Sequence, residues 1–290
     1  MIDYLPLIEN ALKENMPNGD FYEQVLIDSM NYSLSAGGKR IRPVLLLEFC
    51  RLCKGDVNAS LPYACAVEMV HTYSLIHDDL PCMDDDDYRR GKPSNHKVFG
   101  EDIAVLAGDA LQSRAYEIML SHENAEKIGF ENAVNASYTL AKYSGTLGMV
   151  GGQVIDINSE GKKAPIEVLQ QMDYKKTAGL IIASCAMGCI CAGAKEEYIN
   201  AAKEYAENIG IAFQIVDDIL DVTANENELG KPVGSDMENE KSTYVSLLGL
   251  NRCRELVDEM TNRAIDALSV FEEDTKSLCD FALSLAKRNK

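Results

Sequence analysis

The sequence predicts an all-α protein: one domain over residues 1–290, built as a bundle of helices around a central cavity. Three observations carry this expectation. Apolar residues recur at helical spacing through most of the chain, and alternating, strand-like runs are few. No Gly/Ser-rich or Pro-rich linker divides it. Of 290 residues, 46% are hydrophobic and 26% charged, the balance of an ordinary globular protein with enough chain for a large core.

Taken in order, residues 21–34 read as a helix ended by Ser35-Ala36-Gly37-Gly38. Residues 43–52 follow, with Pro43 in the first turn and Gly55 beyond the end. Residues 61–79 form a long apolar helix on which Val67, His71, Ser74 and Asp78 share a stripe. Residues 102–121 are the next helix. One helix is expected over 133–152, where Gly145, Gly148, Gly151 and Gly152 let neighbours approach. Residues 167–192 are one broken helix or two consecutive ones. Within them, 177–194 carry no charge and approach the lower length of a membrane span. Their Ala, Gly, Cys and Ser content points instead to a buried helix. Residues 196–221, 251–268 and 278–287 complete the chain.

A formal net charge of −18 argues against nucleic-acid binding, which needs a basic surface. An anionic substrate would need a local basic pocket. The N-terminus has no basic segment followed by an apolar one, so no signal peptide is expected. The nine cysteines read as reduced thiols of a cytoplasmic protein, a zinc site being the alternative.

Two stretches stand out. Leu75-Ile76-His77-Asp78-Asp79-Leu80-Pro81-Cys82-Met83-Asp84-Asp85-Asp86-Asp87 holds six carboxylates. Its plain reading is a solvated acidic loop. Carboxylates kept close together otherwise require a cation between them. Asp78 and Asp84 do not share a face of a straight helix, and Pro81 interrupts it; a helix end there lets Asp84 swing back beside Asp78. The second stretch, Gln214-Ile215-Val216-Asp217-Asp218-Ile219-Leu220-Asp221, is not loop-like. On a helix Gly210, Gln214, Asp217 and Asp221 form one stripe, and carboxylates stacked on an apolar helix call for a divalent cation or a basic partner. Few carboxylates plus substrate phosphates is the Mg²⁺ pattern. Upstream, Gly37-Gly38-Lys39-Arg40-Ile41-Arg42-Pro43 places bases at a helix start, a plausible diphosphate cradle.

Asp-Asp-x4-Asp at residues 78–84, Asp-Asp-x-x-Asp at 217–221 and the Gly38-Lys39-Arg40-Ile41-Arg42 motif together resemble the trans-type polyprenyl diphosphate synthases, and among them the bacterial farnesyl-type enzymes, from about residue 30 to the C-terminus. The resemblance implies the isoprenoid-synthase type of helical bundle and a homodimer. It implies a reaction between isopentenyl diphosphate and an allylic diphosphate, with three Mg²⁺ ions bridging Asp78, Asp79, Asp84, Asp217, Asp218 and Asp221 to the allylic substrate. It places Gly38, Lys39, Arg42 and His71 around the isopentenyl diphosphate, Arg89 on the allylic diphosphate and Arg90 on the isopentenyl one. It puts Lys176, Thr177, Gln214, Lys231 and Lys241 around the departing diphosphate and the carbocation, with Asp236 holding a metal through water. Without that context His71 is a core histidine, and Arg89-Arg90 a surface pair balancing the aspartates. Gln153 and Asp156 also match, in a structural or catalytic role. Glu240 departs from the glycine often found before the lysine matching Lys241, and adds a negative charge there.

Chain length is read from Tyr73 and Ser74. At 1.5 Å per residue they lie roughly 6–8 Å below Asp78 along the helix. A ring at residue 73 would act as a floor and stop growth at farnesyl diphosphate; the alternative product is geranylgeranyl diphosphate. Plain core packing of Tyr73 remains open. Among other classes, an acidic Ca²⁺-binding or scaffolding protein leaves the basic motifs unexplained. A terpene cyclase needs no isopentenyl site. A non-catalytic synthase subunit would be expected to have lost one aspartate motif.

Overall fold

The computed structural model describes residues 3–223 and 242–288. They are helical almost throughout: α1 (Leu5–Glu14), α2 (Gln24–Leu34), α3 (Ile41–Leu52), α4 (Val57–Asp78), α5 (Asn95–Phe99), α6 (Glu101–Leu120), α7 (His122–Ile128), α8 (Phe130–Ser144), α9 (Met149–Ser159), α10 (Ile166–Asp173), α11 (Gly179–Cys191), α12 (Glu196–Thr223), α13 (Tyr244–Leu248), α14 (Leu250–Ala267) and α15 (Lys276–Ala286). Between α4 and α5, β1 (Tyr88–Arg89) pairs antiparallel with β2 (Lys92–Pro93).

The charge-free helix α11 is the axis of the bundle. Every residue of it is buried, and it packs on α3, α8 and α12, with α4 alongside. It is a core helix, and no described helix is long and apolar enough to cross a membrane. Leu46, Met69, Leu111 and Leu140 join α3, α4, α6 and α8 on one side of it. Phe49, Tyr205 and Phe271 pack α3 and α12 against the C-terminal part on the other. A third cluster, with Val216, Leu220 and Val257, joins α12 to α14.

Three elements differ from expectation. Helix α4 begins at Val57, earlier than residue 61, because Asp56 caps it: its carboxylate accepts from the Asn58 and Ala59 N–H groups at 2.8 and 3.2 Å. Pro62 therefore lies inside the helix. The single helix expected over 133–152 is two. Gly145 adopts an extended backbone after α8, and α9 restarts at Met149; a glycine gives up more freedom than other residues when it enters a helix, which favours the break there. Between α10 and α11 the helix does not break. It widens into a π-helical turn, Tyr174–Ala178, which carries Lys175, Lys176 and Thr177. Helices α1, α5, α7 and α13 and the β-hairpin were not expected from the sequence.

Candidate active site

Helix α4 ends at Asp78, where Pro81 forbids continuation. The chain turns back so that the Asp84 N–H donates to the Asp78 carbonyl at 2.9 Å. Asp84 thus returns beside Asp78, as the spacing suggests. Asp79 goes the other way: it is 2% exposed and pairs with Arg89, which also meets Asp86 at 3.1 Å. Burial pushes the Asp78 carboxyl up to about 6, with Asp84 and Asp79 adding to it and Lys176 and Arg89 opposing.

The second motif lies mid-way in the last turns of α12, which runs on to Thr223. Asp217 meets Arg288 at 3.0 Å, and that guanidinium lies 5.0 Å from the Phe213 ring. Asp218 is buried and accepts the Tyr244 N–H at 2.7 Å. Asp79 and Asp218, expected among the metal-facing set, are therefore both turned into the scaffold. Behind Asp218, Asp173 is buried on the last turn of α10. Burial, with Asp218 nearby, raises its carboxyl to about 8.

The π-helical turn joins the two motifs. Burial works against the Lys176 ammonium, but its pairing with Asp156 and the fields of Asp78 and Asp84 outweigh it, so its pKa is raised. Thr177 donates to the Gln214 amide oxygen at 3.4 Å. Neighbouring helices close on this turn through glycine. A Cβ on Gly152 would lie 2.4 Å from the Lys176 backbone nitrogen, and one on Gly210 2.7 Å from the Ala178 Cβ.

On the other flank lies an open cleft of about 800 Å³, lined by Lys39, Arg42, His71, Arg90, Phe213 and Arg288 among others. Arg42 Nη1 is 3.2 Å from His71 Nε2. A guanidinium only donates, so Nε2 accepts and the ring proton sits on Nδ1. Burial, then Arg42 and Arg90, hold His71 well below its usual value, so it is neutral. Arg90 donates to the Gly37 carbonyl, and its guanidinium occupies the space a Cβ on Gly38 would take, 2.8 Å away. Arg89 and Arg90 thus diverge, as adjacent side chains should. Burial and neighbouring guanidiniums depress both Arg42 and Arg90, a repulsion that a bound anion relieves.

Tyr73 is buried, its ring 5.6 Å from that of His77 and edge-on to it. Ser74 spends its hydroxyl on the His71 carbonyl at 2.9 Å. Lys231, Asp236, Glu240 and Lys241 lie outside the described residues.

Among the described residues no three His, Cys, Asp or Glu side chains gather into a ready-made metal cluster. Carboxylate oxygens offered in ones and twos suit Mg²⁺, which completes its shell with water and substrate phosphate. Sequence reasoning passes over several residues that shape the site: Arg40, Glu68, Glu9, Asp173, Tyr244 and Arg288. Glu68 carried a usable signal, since a carboxylate inside an apolar helix one turn before His71 calls for a buried cation. Arg288, far from Asp217 in sequence, had none.

Comparison with known proteins bears on this geometry. The family profile described as Polyprenyl synthetase matches residues 23–280. The heterodimeric geranylgeranyl pyrophosphate synthase large subunit 1, chloroplastic, of Arabidopsis thaliana is 49% identical over 250 residues, 85% of this chain and 67% of that one. Farnesyl diphosphate synthase of Bacillus subtilis is 44% identical over 283 residues, 97% of this chain and 95% of that one. The crystal structure of an FPP/GFPP synthase from Zymomonas mobilis superposes with a TM-score of 0.83 at 36% identity, covering 97% and 94% of the two chains.

Proposed function

The chain belongs to the polyprenyl synthetase family, and we propose that this prenyltransferase joins isopentenyl diphosphate head-to-tail to dimethylallyl and geranyl diphosphates and stops at farnesyl diphosphate. One observation carries the reading. A carboxylate pair, Asp78 and Asp84, lies beside Lys176, and the adjoining Arg89-Arg90 step leads into a cleft of guanidiniums around a neutral histidine. That is a cation-seeking pocket next to an anion-seeking one.

Asp78, Asp84, Asp217 and Asp221 are assigned to Mg²⁺, and Asp79 and Asp218 to anchoring the segments that carry them. When bound, Mg²⁺ supplies Lewis-acid neutralisation of the leaving diphosphate. Lys176 donates to the oxygens of that diphosphate, with Arg89 beside it. Thr177 orients the Gln214 amide so that its oxygen faces the positive allylic carbon. Lys39, Arg42, Arg90 and His71 hold the isopentenyl diphosphate. The allylic carbon–oxygen bond breaks, its electron pair leaving with the diphosphate, the isopentenyl double bond attacks the resulting carbocation, and the proton released from the new chain passes to an oxygen of the departed diphosphate. The apolar flanks of α4, α6 and α11 exclude water, which would otherwise quench the cation. Lys231 and Lys241 are assigned to the same diphosphate.

Buried Tyr73 supports the farnesyl product. Its ring would block the tail below Ser74. The family's relatives include geranylgeranyl synthases, so the alternative product stands as the competing outcome. A homodimer is supported by the exposed stripe Phe130, Val134 and Tyr138 on α8, each more than half exposed. We place the enzyme in the cytoplasm; all nine cysteines are free thiols.

The test is a product analysis. Purified protein is incubated with isopentenyl diphosphate and either allylic substrate, with Mg²⁺ and then with EDTA, and products are identified by mass spectrometry. Metal-dependent farnesyl diphosphate as the end product is expected, and longer chains from Tyr73→Ala. Geranylgeranyl diphosphate from the unaltered protein would remove Tyr73 as the floor. No condensation with either substrate would remove the catalytic reading.

A further inference from the structure

Arg40 stands between the cradle bases Lys39 and Arg42 and borders the same cleft, yet its side chain is wholly buried, held by Glu9, Glu68 and the Leu34 carbonyl. Its backbone is left-handed, φ 48° and ψ 37°, a conformation that residues other than glycine rarely hold without support. The support is a three-armed fork. Nε donates to Glu9 Oε1 at 2.7 Å, Nη1 to Glu68 Oε1 at 2.7 Å, and Nη2 to the Leu34 carbonyl at 2.6 Å. Glu9 lies on α1, Leu34 ends α2, and Glu68 sits on α4 one turn before His71. One guanidinium therefore ties three helices to the turn that launches α3.

That turn needs tying. Gly37 and Gly38 both have positive φ and give it freedom, while Arg42 and Arg90, packed near each other and His71, repel. Glu68 also opposes that repulsion at both Arg42 and Arg90. We infer that Arg40 is the positioning residue of the isopentenyl diphosphate cradle, and that Glu9, on the N-terminal helix, belongs to the same device. The inference rests on the assignment of this cleft to isopentenyl diphosphate. The fork's own hydrogen bonds go to Glu9, Glu68 and Leu34 and its charges act on Arg90, so its effect is expected on isopentenyl diphosphate before the allylic substrate.

The experiment compares three variants by steady-state kinetics with each substrate varied, by calorimetric binding of isopentenyl diphosphate alone, and by thermal melting. Glu9→Gln removes the half-exposed arm and is expected to raise the KM for isopentenyl diphosphate about fivefold, with kcat and the allylic KM nearly unchanged. Arg40→Met alone would strand a buried Glu68 and risk unfolding, so it is made together with Glu68→Met. Replacing both members of a buried pair by apolar groups tends to preserve stability. This double variant is expected to lose about tenfold or more in the same KM and in calorimetric affinity. Arg42→Gln is the control for the cleft itself. If it weakens isopentenyl diphosphate while the other two variants do not, the fork is structural only and the inference falls. Equal rises in both KM values with a lower Tm would overturn it in the same way. If Arg42→Gln changes nothing, the assignment of the cleft fails and takes the inference with it.

Discussion

Asp78, Asp79 and Asp84 sit where a helix stops; Asp217, Asp218 and Asp221 sit inside one that continues. The spacing dictates this. Two intervening residues let a straight helix stack the outer carboxylates, whereas four require the turn that the Asp84-to-Asp78 main-chain bond closes. Yet the two segments share one device. In each adjacent pair the second aspartate turns inward, Asp79 at 2% exposure to Arg89 and Asp218 at 7% to the Tyr244 N–H. The first of each pair, Asp78 and Asp217, stays partly exposed. Neighbouring identical residues thus take opposite environments, which follows from side chains that diverge along a helix.

That division can be broken most visibly at the outward positions. Asp78→Asn and Asp217→Asn are each expected to cost about a hundredfold to a thousandfold in rate at saturating Mg²⁺, read by steady-state condensation. A nearly normal Asp217→Asn enzyme would give that residue to Arg288 instead of a cation. The inward positions should behave differently. Asp79→Asn and Asp218→Asn are expected to lower stability by about 1–3 kcal/mol in denaturant titrations while losing rate only about tenfold.

A third test separates the motifs by acidity. The Asp78 carboxyl, held near 6, takes up a proton as pH falls through about 6, and the proton competes with the cation. The Mg²⁺ concentration for half-maximal rate should rise across that range in the unaltered enzyme. The smallest effect concerns Asp173 behind the second motif. Its folded-state pKa of about 8 lies above the ordinary carboxylate range, so the folded state favours the protonated form, and that stability is lost as pH rises through about 8. Asp173→Asn cannot ionise. It should melt higher than the parent above pH 8, with the gap closing in acid.

Much of this was legible in the chain. The helical periods of α2, α3, α6, α12, α14 and α15 placed those elements within a few residues, and Gly37-Gly38 marked a true turn. The motif residues Lys39, Arg42, His71 and Arg90 do meet in one cleft. What stayed hidden depends on partners remote in sequence. The inward turn of Asp218 is made by Tyr244, and the role of Arg40 by Glu9 and Glu68. Helix α1 carries only a short buried stripe, Ile8, Ala11 and Leu12, behind Pro6. The π-helical turn has no compositional mark at all; it is a matter of one residue more per turn.

That last feature has a consequence for how the chain tolerates insertions and deletions. A widened turn is an α-helix with one residue added. Deleting any one residue of Tyr174–Ala178 would restore regular winding and leave α10 and α11 near their present phase, while the residues inside the turn lose the angular positions they hold now. Lys176 would swing away from Asp156, and Thr177 from Gln214, with every side chain still present in the sequence. Most surface loops absorb such a change; here the spacing sets which side chains meet, and the segment should be intolerant of single-residue gaps.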